Sequence, residues 1–141
     1  MAIYALIGGR SISNHMNSKI EKMVLEYLNI KNPKILFFPF ACLDDMEKSC
    51  DKFLNLMKDV ECDIECVYDL NDSSLMNKIK ECDCLYFGGG HSEDLIKCIK
   101  ESCVYDFLIS DNQKLICGVS AGAILISKSG MGDRYAYSNN N

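Results

Sequence analysis

A chain of 141 residues, 48% of them apolar, has the size of one domain and enough apolar material for its own core. Its formal net charge of −5, with no cluster of Lys or Arg, argues against a nucleic-acid partner, whose footprint concentrates positive charge on one face. The apolar start meets Gly8 and Gly9 after seven residues without a basic leader, too short for a signal segment or a membrane span.

Ile3 to Ile7 reads as a buried first strand. Ser18-Lys19-Ile20-Glu21 has the spelling of a capping box, and Ile20, Met23, Val24, Tyr27 and Leu28 recur at helical spacing behind it, predicting an amphipathic helix with that stripe inward. Ile35 to Phe38 is the second strand. Asp44-x-x-Glu47 caps a second helix whose Met46, Cys50, Phe53, Leu54 and Met57 share a face. Ile64 to Val67 is a third strand, Asp72 to Glu81 a third helix, Cys84 to Phe87 a fourth strand and Ser92 to Lys100 a fourth helix. Leu115 to Cys117 is the fifth strand, with a helix after Ser120.

Short apolar runs alternating with helices are the signature of βαβ units, and strands apolar throughout suit a parallel sheet covered on both faces. The expectation is one domain over residues 1–141, a three-layer, doubly wound α/β fold with a mainly parallel, flavodoxin-like sheet. Ligand sites in such sheets gather at the carboxyl ends of the strands. Three glycine loops fall there: Gly8-Gly9-Arg10, Gly88-Gly89-Gly90-His91 and Gly118-Val119-Ser120.

The third is the most specific. Gly118-Val119-Ser120-Ala121-Gly122 is the G-x-S-x-G spelling of a nucleophile elbow, where a sharp strand-to-helix turn needs small flanking residues and leaves the serine at a helix N-terminus. The plain alternative is a serine N-cap on a tightly packed helix. A loop of three glycines lets backbone approach a ligand closely, and an N–H of Gly88, Gly89 or Gly90 together with that of Ala121 could hold an oxyanion. A phosphate cradle is the competing use, but the lysine of a P-loop is missing.

Nine cysteines, an odd number, lie between residues 42 and 117, favouring reduced thiols in a cytoplasmic protein over a disulfide framework. Neither Cys62-x3-Cys66 nor Cys82-x-Cys84 has the paired spacing of a zinc site, so no metal and no cofactor is expected.

Phe87-Gly88-Gly89-Gly90, then Gly118-Val119-Ser120-Ala121-Gly122-Ala123 about thirty residues on, with Gly8-Gly9 after the first strand, resembles the peptidase E (aspartyl dipeptidase) family of the class I glutamine-amidotransferase-like superfamily. The resemblance runs over all 141 residues. It implies a serine peptidase cutting short peptides after aspartyl residues, with Ser120 as nucleophile and Gly89 and Ala121 near the oxyanion. The amidotransferases carry cysteine in the elbow, and Cys117, three residues earlier, lies within the strand.

Two features depart from the family. His91 stands where members carry asparagine, and their catalytic histidine follows the serine, whereas no histidine follows Ser120 here. The expectation is therefore a chain short of the C-terminal part of the family fold and weak or inactive alone, since a serine hydroxyl needs a base. His91, at a helix N-terminus, is the candidate base; His15 reads as an exposed loop residue. Asp133, in the polar stretch after the elbow helix, is a candidate acidic residue tied to activity, and Asp44 and Asp45 are explained as helix caps. The expected partners are a short peptide substrate and a second copy covering an incomplete sheet edge, with no nucleic acid and no membrane. A non-catalytic α/β module binding a small anionic ligand at the same glycine-lined edge is the alternative.

Overall fold

An all-apolar strand such as Ile35-Leu36-Phe37-Phe38 is stable only where both its faces are covered. The computed structural model, which describes residues 2–8 and 18–128, provides that cover. In chain order the elements are β1 (Ile3–Ile7), α1 (Lys19–Glu26), β2 (Lys34–Phe38), α2 (Met46–Leu56), β3 (Asp63–Cys66), α3 (Leu75–Glu81), β4 (Cys84–Phe87), α4 (Ser92–Lys100), α5 (Cys103–Ile109), β5 (Leu115–Val119) and α6 (Ala121–Lys128). The strands form one sheet in the order β1-β5-β4-β2-β3, with every pairing parallel. The stretch β3-β2-β4-β5 follows the flavodoxin-like order, and β1 takes the place beyond β5.

One face of the sheet packs Ile35, Phe37, Cys84, Tyr86 and Leu115 against Leu25 of α1 and Cys50 and Phe53 of α2. The opposite face packs Leu36, Phe38, Leu85, Phe87 and Ile116 against α3, α4, α5 and α6 through Ile79, Leu95, Leu108 and Leu125. Alternate residues of β2 and β4 thus enter different cores, which is why Ile35 to Phe38 and Cys84 to Phe87 form unbroken buried runs. No described helix is long and apolar enough to cross a membrane.

Chain direction reverses between β2 and β4: the path goes outward to β3 on one side and to β5 on the other. In an open α/β sheet a crevice opens at the carboxyl ends of such neighbours.

The first helix corrects the sequence reading. Ile20, Met23 and Tyr27 of the expected inward stripe are 42%, 58% and 78% exposed, while Glu21 and Leu25 are buried. Glu21 Oε2 accepts the hydroxyl of Tyr86 at 3.0 Å, so the face turned to the sheet is set by a polar partner on β4 that a periodicity of apolar residues does not register. Glu21 therefore does not close a capping box, and Ser18 makes no side-chain cap bond.

Smaller differences follow from local hydrogen bonding. Asp45, not Asp44, caps α2, accepting the Lys48 N–H at 3.0 Å. Leu54, expected on the buried face of α2, is 43% exposed. The third helix begins at Leu75 rather than Asp72, because the Asp72 carboxylate takes the N–H and hydroxyl of Ser74 in a turn. Those bonds, the backbone one first, hold the Asp72 carboxyl below its ordinary range. The helix α5 lies in a stretch that the sequence reading leaves unassigned. It is capped by Ser102 Oγ, which accepts the Val104 N–H at 3.2 Å, and buries Val104 and Leu108 one turn apart.

Candidate active site

The end of β5 explains its own spelling. A Cβ on Gly118 would overlap the Gly122 backbone, and one on Gly122 would overlap the carbonyl oxygen of Phe87. The start of α6 is thereby pressed onto the last residue of β4, which only glycine permits. Between the two, Ser120 makes the turn at φ +53°, a left-handed conformation uncommon for a residue with a Cβ. Its N–H donates to the Ile7 carbonyl at 2.9 Å, tying the turn to the end of β1, and its carbonyl accepts the Ile124 N–H at 3.1 Å. The side chain itself is exposed.

Gly88, Gly89 and Gly90 approach from β4. Gly88 lies against the Phe37 ring, where a Cβ would come to 2.8 Å of Cζ; Gly89 faces the serine, where a Cβ would sit 3.4 Å from Ser120 Cβ. Gly90 has φ +141°, and a Cβ there would overlap the Ala41 carbonyl.

Backbone donors buried or half-buried at a loop must be accounted for one by one. Gly88 donates to the Phe38 carbonyl at 3.3 Å, His91 to that of Ala41 at 2.7 Å, and Ser120 to Ile7. Among the described residues the N–H groups of Gly89, Gly90 and Ala121 make no hydrogen bond. The Gly89 donor, facing the serine, and the Ala121 donor, next after it in the chain, form a neutral pair suited to an oxyanion, with Ala121 adding the N-terminal dipole of α6.

Gly88, Gly89 and Ser120 border a cleft of about 540 Å³, within the range of roughly 300–1,000 Å³ typical of small-molecule sites. Its floor is aromatic: Phe37 stacks on Phe53 at 4.3 Å between ring centroids, and Phe53 meets Tyr86 at 4.4 Å. Lys48 and Lys52, one turn apart on α2, face the cleft with Asp44, Asp45 and Cys42. An apolar floor under charged side chains lets a ligand be held by its body and oriented by its ends.

His91 lines the same cleft as Ser120 and stands at the N-cap of α4, exposed, its side chain making no cap bond. The structure thus brings together Ser120, His91, Gly88, Gly89 and Ala121, with Gly90 behind them. Gly9, Arg10, His15 and Asp133 lie outside the described residues; Gly8 is exposed, with open space where a Cβ would be. Cys117 is buried beneath the sheet surface, where its sulfur accepts the Cys84 thiol at 3.8 Å, remote in kind from a nucleophile. Among the described residues no three His, Cys, Asp or Glu side chains are grouped to hold a metal ion.

Cys42, Lys48 and Lys52 are the cleft residues that sequence reasoning missed. Lys48 and Lys52 had a signal in their spacing of four on the helix after β2, beside the reversal of chain direction. Cys42 had none, since a single cysteine beyond a strand has no pattern.

The surroundings of this site have relatives. An uncharacterised peptidase of Bacillus subtilis strain 168, YgaJ, is 26% identical over 136 residues, which is 93% of this chain and 58% of that protein. The crystal structure of a peptidase from an acI-B1 actinobacterium superposes with a TM-score of 0.70 at 18% identity, covering 88% of this chain and 56% of that one, and shares its fold. The chain thus spans little more than half the length of either. A sequence model of peptidase family S51 matches residues 4–140, nearly the whole chain, and bears out the resemblance carried by the two glycine motifs: the chain belongs to peptidase family S51.

Proposed function

We propose that the chain carries the serine centre of a peptidase that hydrolyses short peptides after aspartyl residues, by acyl transfer through Ser120. The observation that supports this best is the exposed Ser120 at φ +53° facing Gly89, with the N–H groups of Gly89 and Ala121 making no hydrogen bond among the described residues. The word peptidase in the names of the relatives agrees with it.

In this reading Ser120 Oγ attacks the scissile carbonyl carbon while a base takes its proton, and the carbonyl oxygen becomes an oxyanion held by the loop and Ala121 amides. Collapse returns the proton to the leaving amine, and water then releases the acyl group by the same steps in reverse order. Within the cleft His91 is the candidate base, standing at the N-cap of α4 with its side chain free of a cap bond and on the same cleft as Ser120. Gly88, whose N–H is already bonded, serves by its size. Asp133 is carried as the acidic residue tied to activity.

Incubating the chain with Asp-X dipeptides and a serine-directed phosphonate tests the reading. Ser120 is expected to be the labelled residue, Ser120→Ala to abolish labelling and turnover, and His91→Ala to lower kcat/KM by roughly 10²- to 10⁴-fold. Labelling elsewhere, or turnover that survives Ser120→Ala, would sink it. Lys48 and Lys52 favour a second reading, a module that binds a small anion without chemistry; its mark is tight anion binding that survives Ser120→Ala, with no phosphonate labelling of the wild type.

A further inference from the structure

The glycine triplet is held from behind by the turn that leaves β2. Two of its contacts are backbone: the Ala41 carbonyl accepts the His91 N–H at 2.7 Å, and Gly90 lies so close over that carbonyl that no Cβ fits. The third is a side chain. Cys42 Sγ lies 3.3 Å from the Gly89 carbonyl oxygen, to which its thiol donates.

The Gly89–Gly90 peptide therefore stands between two walls. A Cβ on Gly90 would come to 2.8 Å of Cys42 Sγ, and a Cβ on Gly89 to 3.4 Å of Ser120 Cβ. In a trans peptide the carbonyl and the following N–H point to opposite sides, and the described chain has no cis bond. Drawing the Gly89 oxygen toward Cys42 thus turns the Gly90 N–H away from it. The reversed peptide would remove a donor and bring an acceptor oxygen toward the place where negative charge develops.

We infer that Cys42 is a positioning residue for Ser120 chemistry: its thiol holds the Gly89–Gly90 peptide in the orientation that offers N–H groups, rather than an oxygen, to an anion at the serine. The inference rests on the reading of Ser120 as nucleophile. Cys42 touches no reacting atom in it, and a thiol filling space would leave the peptide indifferent to whether the residue can donate.

An S–H···O bond is weak, so losing it redistributes two peptide orientations instead of removing a donor. Cys42→Ala and Cys42→Val, neither with a donor, are expected to lower the limiting rate of Ser120 phosphonylation roughly 3- to 30-fold, below the 10²- to 10³-fold cost of an absent oxyanion donor. The phosphonate concentration for half-maximal rate is expected to stay within twofold, and Cys42→Ser, whose hydroxyl donates, to restore the rate.

Amide hydrogen exchange at His91, whose N–H is bonded to the Ala41 carbonyl, gives a readout independent of reactivity. It is expected to speed up in the alanine and valine variants and to return toward wild type in the serine variant. A limiting rate unchanged in both donor-free variants, or a serine variant as slow as they are, overturns the inference; thermal melts identify a variant that has lost its fold. Should the wild type prove inert to phosphonate, the reading of Ser120 falls, and unchanged exchange in the donor-free variants then overturns the role of Cys42 in holding the loop as well.

Discussion

Ser120 is strained where it stands. Its φ of +53° places an L-residue in the left-handed region, at a cost of roughly 1–2 kcal/mol that the surrounding contacts offset. Asn29 and Asn32 share this sign of φ, but asparagine tolerates it through its short polar side chain, and both sit in turns after α1. At residue 120 no such ease exists, and a serine is kept where glycine would be more stable. Ser120→Gly is therefore expected to raise the unfolding free energy by roughly 0.5–1 kcal/mol, less than the strain because glycine also gains freedom in the unfolded chain. Urea melts of Ser120→Gly and Ser120→Ala beside wild type check this. A glycine variant no more stable than the alanine variant would show that the turn carries no stored strain.

At the scale of elements, the seat of α6 on β4 decides the site, and it is made by glycines. Gly122→Ala would drive a methyl group into the Phe87 carbonyl, which is backbone and cannot swing aside, so α6 must shift away from β4. The expected loss is about 3 kcal/mol or more, with a lower urea midpoint and no phosphonate labelling, whereas Ala123→Gly on the same helix should cost only about 1 kcal/mol. An alanine at 122 that leaves the midpoint unmoved would mean that the helix can repack. This contact also explains what was legible in the sequence. The bounds of β1, the strand β4, the helix α4 and the pair of glycine motifs could be read because their residue types answer local demands: an apolar run, a helical period, a turn with no room for Cβ. The burial expected of β1 does not hold, since it lies at the sheet edge with Ile3 and Leu6 46% and 48% exposed. Nor could the face of α1 be read, since it answers to the Tyr86 hydroxyl 65 residues away. The same holds for Cys42, whose meaning comes from the Gly89 carbonyl 47 residues on.

For the molecule as a whole, a sheet apolar on both sides leaves its polar chemistry at the strand ends and encloses four of the nine thiols, Cys50, Cys82, Cys84 and Cys117. Cys82, Cys84 and Cys117 are buried, the last two on neighbouring strands β4 and β5. Burial pushes the Cys82 thiol up to about 11, and burial ahead of its contact with Cys50 pushes Cys66 up to about 12, each from an ordinary value of 9.0. Cys84 is raised well above that value by its bond to the Cys117 sulfur and by burial. A folded-state value raised above the unfolded one means that the unfolded chain gives up its proton first. Below pH 9 both states hold these protons and the contribution is complete; above it the unfolded state is favoured, until the folded thiols titrate at about 11 and 12. Each thiol that stays protonated in the fold adds at most about 1.4 kcal/mol of lost stability per pH unit in that window. Urea unfolding at pH 7, 8 and 10.5 is expected to show stability nearly level over the first step and falling over the second. In Cys84→Ala, which starts lower because a buried side chain is trimmed, the second step should be shallower. The slope rather than the starting level is the test, because a cavity lowers stability equally at every pH while a buried thiol lowers it only where its unfolded counterpart ionises. A Cys84→Ala slope identical to wild type would show that the Cys84 thiol takes no part in the alkaline loss.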